Sequence, residues 1–231
     1  MTDHVRHQNV TFPSTSPSGE AHGYLEKPEA GTGPGLIVIQ EWWGLDEHIA
    51  DLVRRFAGEG FVTLAPDLYG GTTVHDREDA ARMASQLPVE QAVADLAGAV
   101  DYLLGLDEVT SSRVGVVGFC MGGAFVLRLA ALAGDKVGAA VPFYGRPDPA
   151  TDYSGLRAAV QGHYAEHDRS ISRDDVVSMT TTMQLQCGVV PQIHWYPAGH
   201  AFMNDQRPAF DQHCAALAWS RAVEFLKDNL G

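Results

Sequence analysis

Cysteine and basic side chains are both scarce in this chain of 231 residues. Its 3 cysteines, Cys120, Cys187 and Cys214, are an odd number at wide spacing, so no disulfide framework is expected. Its 16 Lys and Arg face 29 Asp and Glu, which gives a formal net charge of −13. A surface of that charge repels phosphate backbones and anionic lipids, so neither a nucleic acid nor a membrane is an expected partner.

Long apolar runs are also missing. No segment has the length that spans a bilayer, and residues 1–20 lack the apolar core of a secretory signal. We therefore expect a cytoplasmic protein. The length of 231 residues and the 45 % content of hydrophobic residues suit a single α/β domain over residues 1–231.

Strand-like and helix-like segments alternate along the chain. Apolar, β-branched runs predict buried strands over 36–39, 61–65, 114–118, 137–143, 158–162 and 191–196. Apolar residues at helical spacing predict helices over 46–59, 90–104, 124–133 and 206–230. Two further strands, over 5–12 and 19–27, flank a turn-forming stretch and predict a hairpin at the sheet edge. Together these elements predict a doubly wound, mostly parallel sheet with an antiparallel N-terminal hairpin.

A cysteine lies between glycines where a predicted strand meets a predicted helix, in the stretch GFCMGG at residues 118–123. Small neighbours let the chain turn sharply and expose the side chain, as in a nucleophile elbow with cysteine in the serine position. The following helix favours a thiolate on Cys120, and the Met121 N–H is free to bind a developing oxyanion. The alternative is a buried structural cysteine whose glycine neighbours allow close packing.

Candidate partners for the cysteine follow in later loops, in the order acid and then histidine that this arrangement requires. Asp168 follows one predicted strand and His200 follows the next. Glu166 is an alternative acid, and Asp168 could instead close a turn or cap a helix. His163 and His167 have the spacing of a helical metal site, but their segment does not have a helical pattern. We expect no metal and no cofactor.

Several motifs, in this order, resemble those of the dienelactone hydrolase family. They are EWWG at 41–44, PDLYGG at 66–71, GFCMGG at 118–123, FYG at 143–145, Asp168, and GHAF at 199–202. The resemblance extends from the hairpin to the last helix. It implies an enzyme of the α/β-hydrolase fold, mostly monomeric and metal-free, that opens an enol-lactone ring.

The same resemblance implies roles for individual residues. Cys120, Asp168 and His200 would form the catalytic triad, and the backbone N–H groups of Trp42 and Met121 would form the oxyanion hole.

The resemblance also implies that Glu41 lies beside the cysteine. In one interpretation, Glu41 hydrogen-bonds the Cys120 thiol and takes its proton when a substrate enters. In the other, Glu41 turns to solvent or pairs with an arginine.

The substrate-binding positions depart from the family pattern. Family members hold the carboxylate of dienelactone with two arginines and a tyrosine, and the matching positions here are Arg77, Asn204 and Ala81. Arg146 or Arg207 could supply the missing cation. The residues expected to contact substrate are Arg77, Tyr144, Arg146, Asn204, Arg207 and Trp43.

These observations predict a cysteine-dependent hydrolase of a small lactone or ester that works through an acyl-enzyme. The expected partner is a small-molecule substrate. The alternative function is that of a non-hydrolytic protein of the same fold, in which Cys120 is a redox-sensitive or ligand-binding thiol.

Overall fold

The computed structural model describes residues 7–231, which form one sheet with helices packed against it. Within those residues the strands are β1 (Val10–Pro13), β2 (Glu20–Glu26), β3 (Gly35–Ile39), β4 (Val62–Pro66), β5 (Val114–Phe119), β6 (Val137–Phe143), β7 (Ala159–Ala165) and β8 (Gln192–Tyr196). The α-helices are α1 (Glu47–Gly58), α2 (Arg77–Gln86), α3 (Val89–Leu104), α4 (Met121–Ala133), α5 (Arg173–Cys187) and α6 (Gln212–Leu230).

The strand order is β1-β2-β4-β3-β5-β6-β7-β8. Strands β3 to β8 pair in parallel, whereas β1 pairs antiparallel with β2, and β2 with β4. From β3 the chain passes to β4 on one side and later to β5 on the other. Right-handed crossovers in both directions place helices on both faces of the sheet. The predicted doubly wound sheet with an N-terminal hairpin is therefore confirmed.

The centre of the sheet forms the core. Every residue of β3, β4, β5 and β6 is buried, as their continuous apolar sequences indicate for strands covered on both faces. No helix within residues 7–231 has both the length and the apolar character needed to cross a bilayer.

Several predicted elements differ from the structure. The first predicted strand, over 5–12, lies partly outside the described residues, and the strand there is β1. Helix α6 begins at Gln212 rather than at residue 206, because the Asp211 side chain accepts a hydrogen bond from the Cys214 N–H and caps the helix there. Helix α2 was not predicted, because Ala80 is its one buried residue and its apolar periodicity is weak.

Candidate active site

Cys120 lies at the sharp turn between β5 and α4. Its φ of 52° and ψ of −111° are a strained conformation for a residue with a side chain. Its N–H donates to the Phe143 carbonyl, which fixes the turn against β6. A Cβ on Gly118 would lie 2.4 Å from the Gly122 carbonyl oxygen, and one on Gly122 would lie 2.3 Å from that of Ile39. These glycines let the start of α4 press against the end of β3.

The Cys120 thiol begins a chain of hydrogen bonds. Its Sγ lies 3.2 Å from His200 Nε2, and His200 Nδ1 lies 2.5 Å from Asp168 Oδ2. Because a carboxylate only accepts, Nδ1 carries the proton of this second bond. The other oxygen, Asp168 Oδ1, accepts from the Ser170 N–H at 2.8 Å and from its hydroxyl at 2.7 Å. The Asp168 side chain is 1 % exposed, so its hydrogen bonds compensate for the lost solvation.

The electrostatics favour a charged pair at the histidine. Burial would by itself lower the pKa of His200, but its hydrogen bonds to Asp168 and Cys120, and their charges, raise that pKa to about 10. Burial would likewise raise the pKa of Asp168, but the hydrogen bonds from His200 and Ser170 outweigh it and lower that pKa. At neutral pH the arrangement therefore favours an imidazolium between the sulfur and a carboxylate.

Glu41, just after β3, is buried, with 1 % of its surface exposed. Its Oε1 accepts from the Tyr144 hydroxyl at 3.2 Å, and its Oε2 accepts from the Asn204 amide at 2.7 Å. Burial raises the pKa of Glu41, although the charge of His48 and the Asn204 hydrogen bond oppose this. Both interpretations of Glu41 were wrong in their contacts: among the described residues it bonds neither Cys120 nor an arginine, and it does not face solvent.

A cavity of about 380 Å³ opens in front of the thiol. Its walls include the indole rings of Trp42 and Trp43, and the guanidinium of Arg207 stacks on Trp43 with its Cζ 3.6 Å from the ring centre. Arg77 also lines the cavity, with its Cζ 5.9 Å from the centre of the Trp42 ring. The remaining lining residues are Glu41, Cys120, His200, Ala201, Pro208 and Ala209. The site therefore joins apolar walls to two cations.

The structure separates the six residues predicted to contact substrate into three groups. Trp43, Arg77 and Arg207 line the cavity. Tyr144 and Asn204 are fully buried and hold Glu41 instead, because the end of β6 and the loop after His200 carry them behind the cavity wall.

Arg146 is exposed and is not among the residues that line the cavity. Its position after β6 suggested a ligand site, but the chain turns outward there, and its charge acts on Asp175 of α5.

The alternative acid and the alternative metal ligands that the sequence suggested lie outside the hydrogen-bonded chain of the candidate site. Glu166 is exposed and pairs with Arg173 at 3.0 Å, away from His200. His163 is buried in β7 between Tyr196 and Gln161, whereas His167 is exposed in the loop that follows, so the two do not share a face.

Two polar residues near the site were not predicted from the sequence. Ser170 supports Asp168, and its spacing of two residues is typical of an Asx turn, which could have indicated it. His48 in α1 is 2 % exposed, and its Nδ1 lies 3.2 Å from Asp205 Oδ1. Its proximity to Glu41 depends on helix packing that a sequence pattern does not report.

The sequence is similar to those of known proteins. The profile of the Dienelactone hydrolase family matches residues 21–230. Protein usf of Aquifex pyrophilus is 33 % identical over 91 % of this chain and 94 % of its own length. Carboxymethylenebutenolidase 1 of Cupriavidus pinatubonensis is 29 % identical over 92 % of this chain and 94 % of its own.

Solved structures show the same architecture. A Klebsiella pneumoniae protein, described as a candidate dienelactone hydrolase, superposes with a TM-score of 0.82 at 30 % identity, over 95 % of this chain and 99 % of its own. An esterase of Pyrococcus furiosus has a TM-score of 0.69 at 16 % identity, over 98 % of this chain and 94 % of its own, which shows the shared fold alone. The fold is that of the α/β-hydrolases.

Proposed function

Because the chain belongs to the dienelactone hydrolase family and is a carboxylic ester hydrolase, we propose that it cleaves small esters or lactones through an acyl-enzyme on Cys120. One observation carries the proposal. A thiol at the cavity wall lies 3.2 Å from an imidazole whose other nitrogen lies 2.5 Å from a buried carboxylate. That is the geometry of a nucleophile, a proton carrier and the group that orients it.

The chemistry follows from the raised pKa of His200. The thiolate sulfur of Cys120 bonds to the substrate carbonyl carbon, and the carbonyl oxygen takes the negative charge. When the intermediate collapses, the ester oxygen leaves with the proton of His200 Nε2, and a thioester remains. Water then gives a proton to His200 and attacks the thioester carbonyl. Release of the acid restores the thiolate and the imidazolium.

The developing oxyanion needs fixed donors. Met121 is the first residue of α4, so its N–H has no acceptor within the helix. The close contact of Gly122 with the end of β3 brings this N–H next to the turn that contains Trp42. We assign the two backbone N–H groups to the oxyanion hole. Burial raises the pKa of the nearby Glu41, and both of its carboxyl oxygens accept hydrogen bonds, from Tyr144 and Asn204.

The size and the lining of the cavity in front of Cys120 limit the substrates that it can bind. A volume of about 380 Å³ suits a small molecule, and the two indole rings suit an apolar or unsaturated acyl group. Arg77 and Arg207 would bind a carboxylate on it, because a guanidinium donates two parallel hydrogen bonds to such a group. The cation that the family pattern places at position 204 is thus replaced from position 207.

A burst assay tests the proposal. Wild-type protein mixed with excess 4-nitrophenyl acetate should release one equivalent of nitrophenol rapidly, and mass spectrometry of the quenched protein should find an acetyl group on Cys120. Cys120→Ala should lose both signals. Cys214→Ala is the matched control, because Cys214 is buried in α6, away from the cavity, and should keep both. A protein that uses Cys120 only as a redox or ligand-binding thiol would show no turnover after any burst.

A further inference from the structure

A second cavity, of about 320 Å³, opens beside His200. Arg77, His167, Arg169 and Ser170 form its walls together with His200 and Asp168. Arg77 and His200 line both cavities and therefore stand between them. We call the space in front of Cys120 the acyl cavity and this second space the basic cavity.

In this acidic protein, with a net charge of −13, the basic cavity brings two arginines together. Arg82, Arg128 and Arg173 each form an ion pair with a carboxylate. Arg77 and Arg169 form none within residues 7–231. Unpaired guanidinium groups that converge on one cavity create a local positive potential that attracts anions.

Carboxylates near the basic cavity are already engaged. Asp168 accepts from His200 and Ser170, and it is nearly inaccessible to solvent. Glu166, in the same loop, pairs with Arg173 at 3.0 Å. Neither carboxylate is therefore a partner for the guanidinium of Arg169.

The place of the basic cavity beside His200 indicates which part of a substrate would enter it. In the proposed mechanism, the proton of His200 Nε2 goes to the ester oxygen that leaves. That oxygen must come within hydrogen-bond reach of the imidazole, so the group attached to it extends toward the His200 side of the site. The acyl group, bonded to the sulfur, stays in the acyl cavity.

We infer that the basic cavity is a leaving-group subsite for open-chain esters whose alcohol portion carries an anion, held by Arg77 and Arg169. This subsite rests on the proposed function. It differs from carboxylate binding in the acyl cavity, because it needs Arg169 and does not use Arg207. An exposed subsite also lets the anionic alcohol diffuse away, which opens His200 to water for the second half of the reaction.

The test uses two acetate esters that differ only in charge, 3-acetoxybenzoate and its uncharged analogue 3-acetoxybenzamide. Wild-type kcat/KM should favour the anionic ester by about fivefold at low salt, the factor that one exposed ion pair supplies. Arg169→Ala should abolish this preference, and Arg169→Glu should reverse it. Arg113→Ala is the matched control, because Arg113 is an exposed arginine beside the opposite end of β5, and should keep the preference. A larger preference for 3-acetoxyphenyl phosphate would identify phosphate as the better anion.

Other results would overturn the subsite. Equal kcat/KM for the two acetate esters, with acetylation of Cys120 intact, would remove it and leave the proposed function standing. Loss of the preference in Arg207→Ala, with Arg169→Ala unaffected, would place the anion in the acyl cavity. Absence of acetylation by every ester would overturn the proposed function, and the subsite with it.

Discussion

Cys120, His200 and Asp168 each depend on one neighbour for their geometry. The cysteine needs the glycines around it, the imidazole needs Asp168, and Asp168 needs the two hydrogen bonds from Ser170. Because Asp168 is buried and its hydrogen bonds lower its pKa, it remains an anion beside His200. The charge state of His200 therefore depends in part on Asp168.

Asp168→Asn should move the alkaline limit of activity. Asp168 is one of the groups that raise the pKa of His200 to about 10, so kcat/KM in the wild type should fall as His200 loses its proton near that pH. Without the carboxylate the pKa of His200 falls, and the decline should begin at lower pH. Glu166→Gln is the control and should leave the profile in place. If the pH profile of Asp168→Asn matches that of the wild type, Asp168 does not raise the pKa of His200.

Glu41→Ala should destabilise the fold and lower kcat/KM. The substitution leaves the Tyr144 hydroxyl and the Asn204 amide as buried donors without their acceptor, at a cost of roughly 1–3 kcal/mol each. Adding Tyr144→Phe removes one of these orphaned donors. Urea denaturation should therefore show that the double variant is more stable than the sum of the two single changes. Additive free energies of unfolding would show that Glu41 and Tyr144 are not coupled.

At the scale of elements, the site lies where several strands end and two helices begin. The parallel strands β3, β5, β7 and β8 bring Glu41, Cys120, Asp168 and His200 to the same edge of the sheet. Helix α4 brings its first residue, Met121, to the site, and α2 brings its first residue, Arg77. The approach of α4 to β3 depends on the absence of a side chain at Gly122.

Gly122→Ala should lower kcat more than it changes KM. A Cβ there would lie 2.3 Å from the Ile39 carbonyl oxygen and 2.5 Å from that of Gln40, so α4 must shift away from β3. This shift separates the N–H groups assigned to the oxyanion, which act chiefly in the transition state. Gly58→Ala is the matched control: it lies in α1, has nothing within 4 Å of the new Cβ, and should be neutral or stabilising. Equal kinetics for the two variants would contradict the assignment.

At the scale of the whole molecule, the sheet contains a buried histidine that the chemistry does not use. His163 in β7 is 0 % exposed, stacks on Phe143, and is bonded to Tyr196 and Gln161. Burial lowers its pKa well below 6.5, so it remains neutral in the folded protein and is protonated in the unfolded chain at acid pH. Its effect is therefore on the folding equilibrium of the whole domain.

Folding stability should fall as the pH drops below about 6.5. Below that pH, His163 binds a proton in the unfolded chain but not in the folded protein. Its contribution to the free energy of unfolding is therefore complete above about pH 6.5 and is lost below it, at up to about 1.4 kcal/mol per pH unit. Urea denaturation at pH 7.5 and 5.5 measures this change. His163→Gln should flatten the dependence, whereas His213→Gln, at an exposed position of α6, should not. The same slope in both variants would assign the acid sensitivity to other groups.

The local sequence pattern was enough to predict the core strands of the sheet and three of the residues that meet at the candidate active site. The buried runs at β3, β5 and β6 could only be covered strands, and the alternation with helices implied a parallel sheet. Cys120 between glycines, followed by Asp168 and His200 in later loops, was readable because strand ends and turns carry local composition signals. That Glu41 lies near the cysteine was implied only by the resemblance to the dienelactone hydrolase family.

Tertiary packing decided which side chains face the cavity and which groups shift the pKa of His200, and the local sequence pattern did not predict either. Whether Asn204 and Tyr144 face a substrate or hold Glu41, and whether Arg146 or Arg207 reaches the cavity, depends on where loops from distant parts of the chain meet. The pKa of His200 depends on burial and on two groups 32 and 80 residues away. The sequence pattern predicts which residues follow the ends of strands. The direction of a side chain, its loss of solvation and its charge partners depend on the folded structure, because only folding brings distant residues into contact.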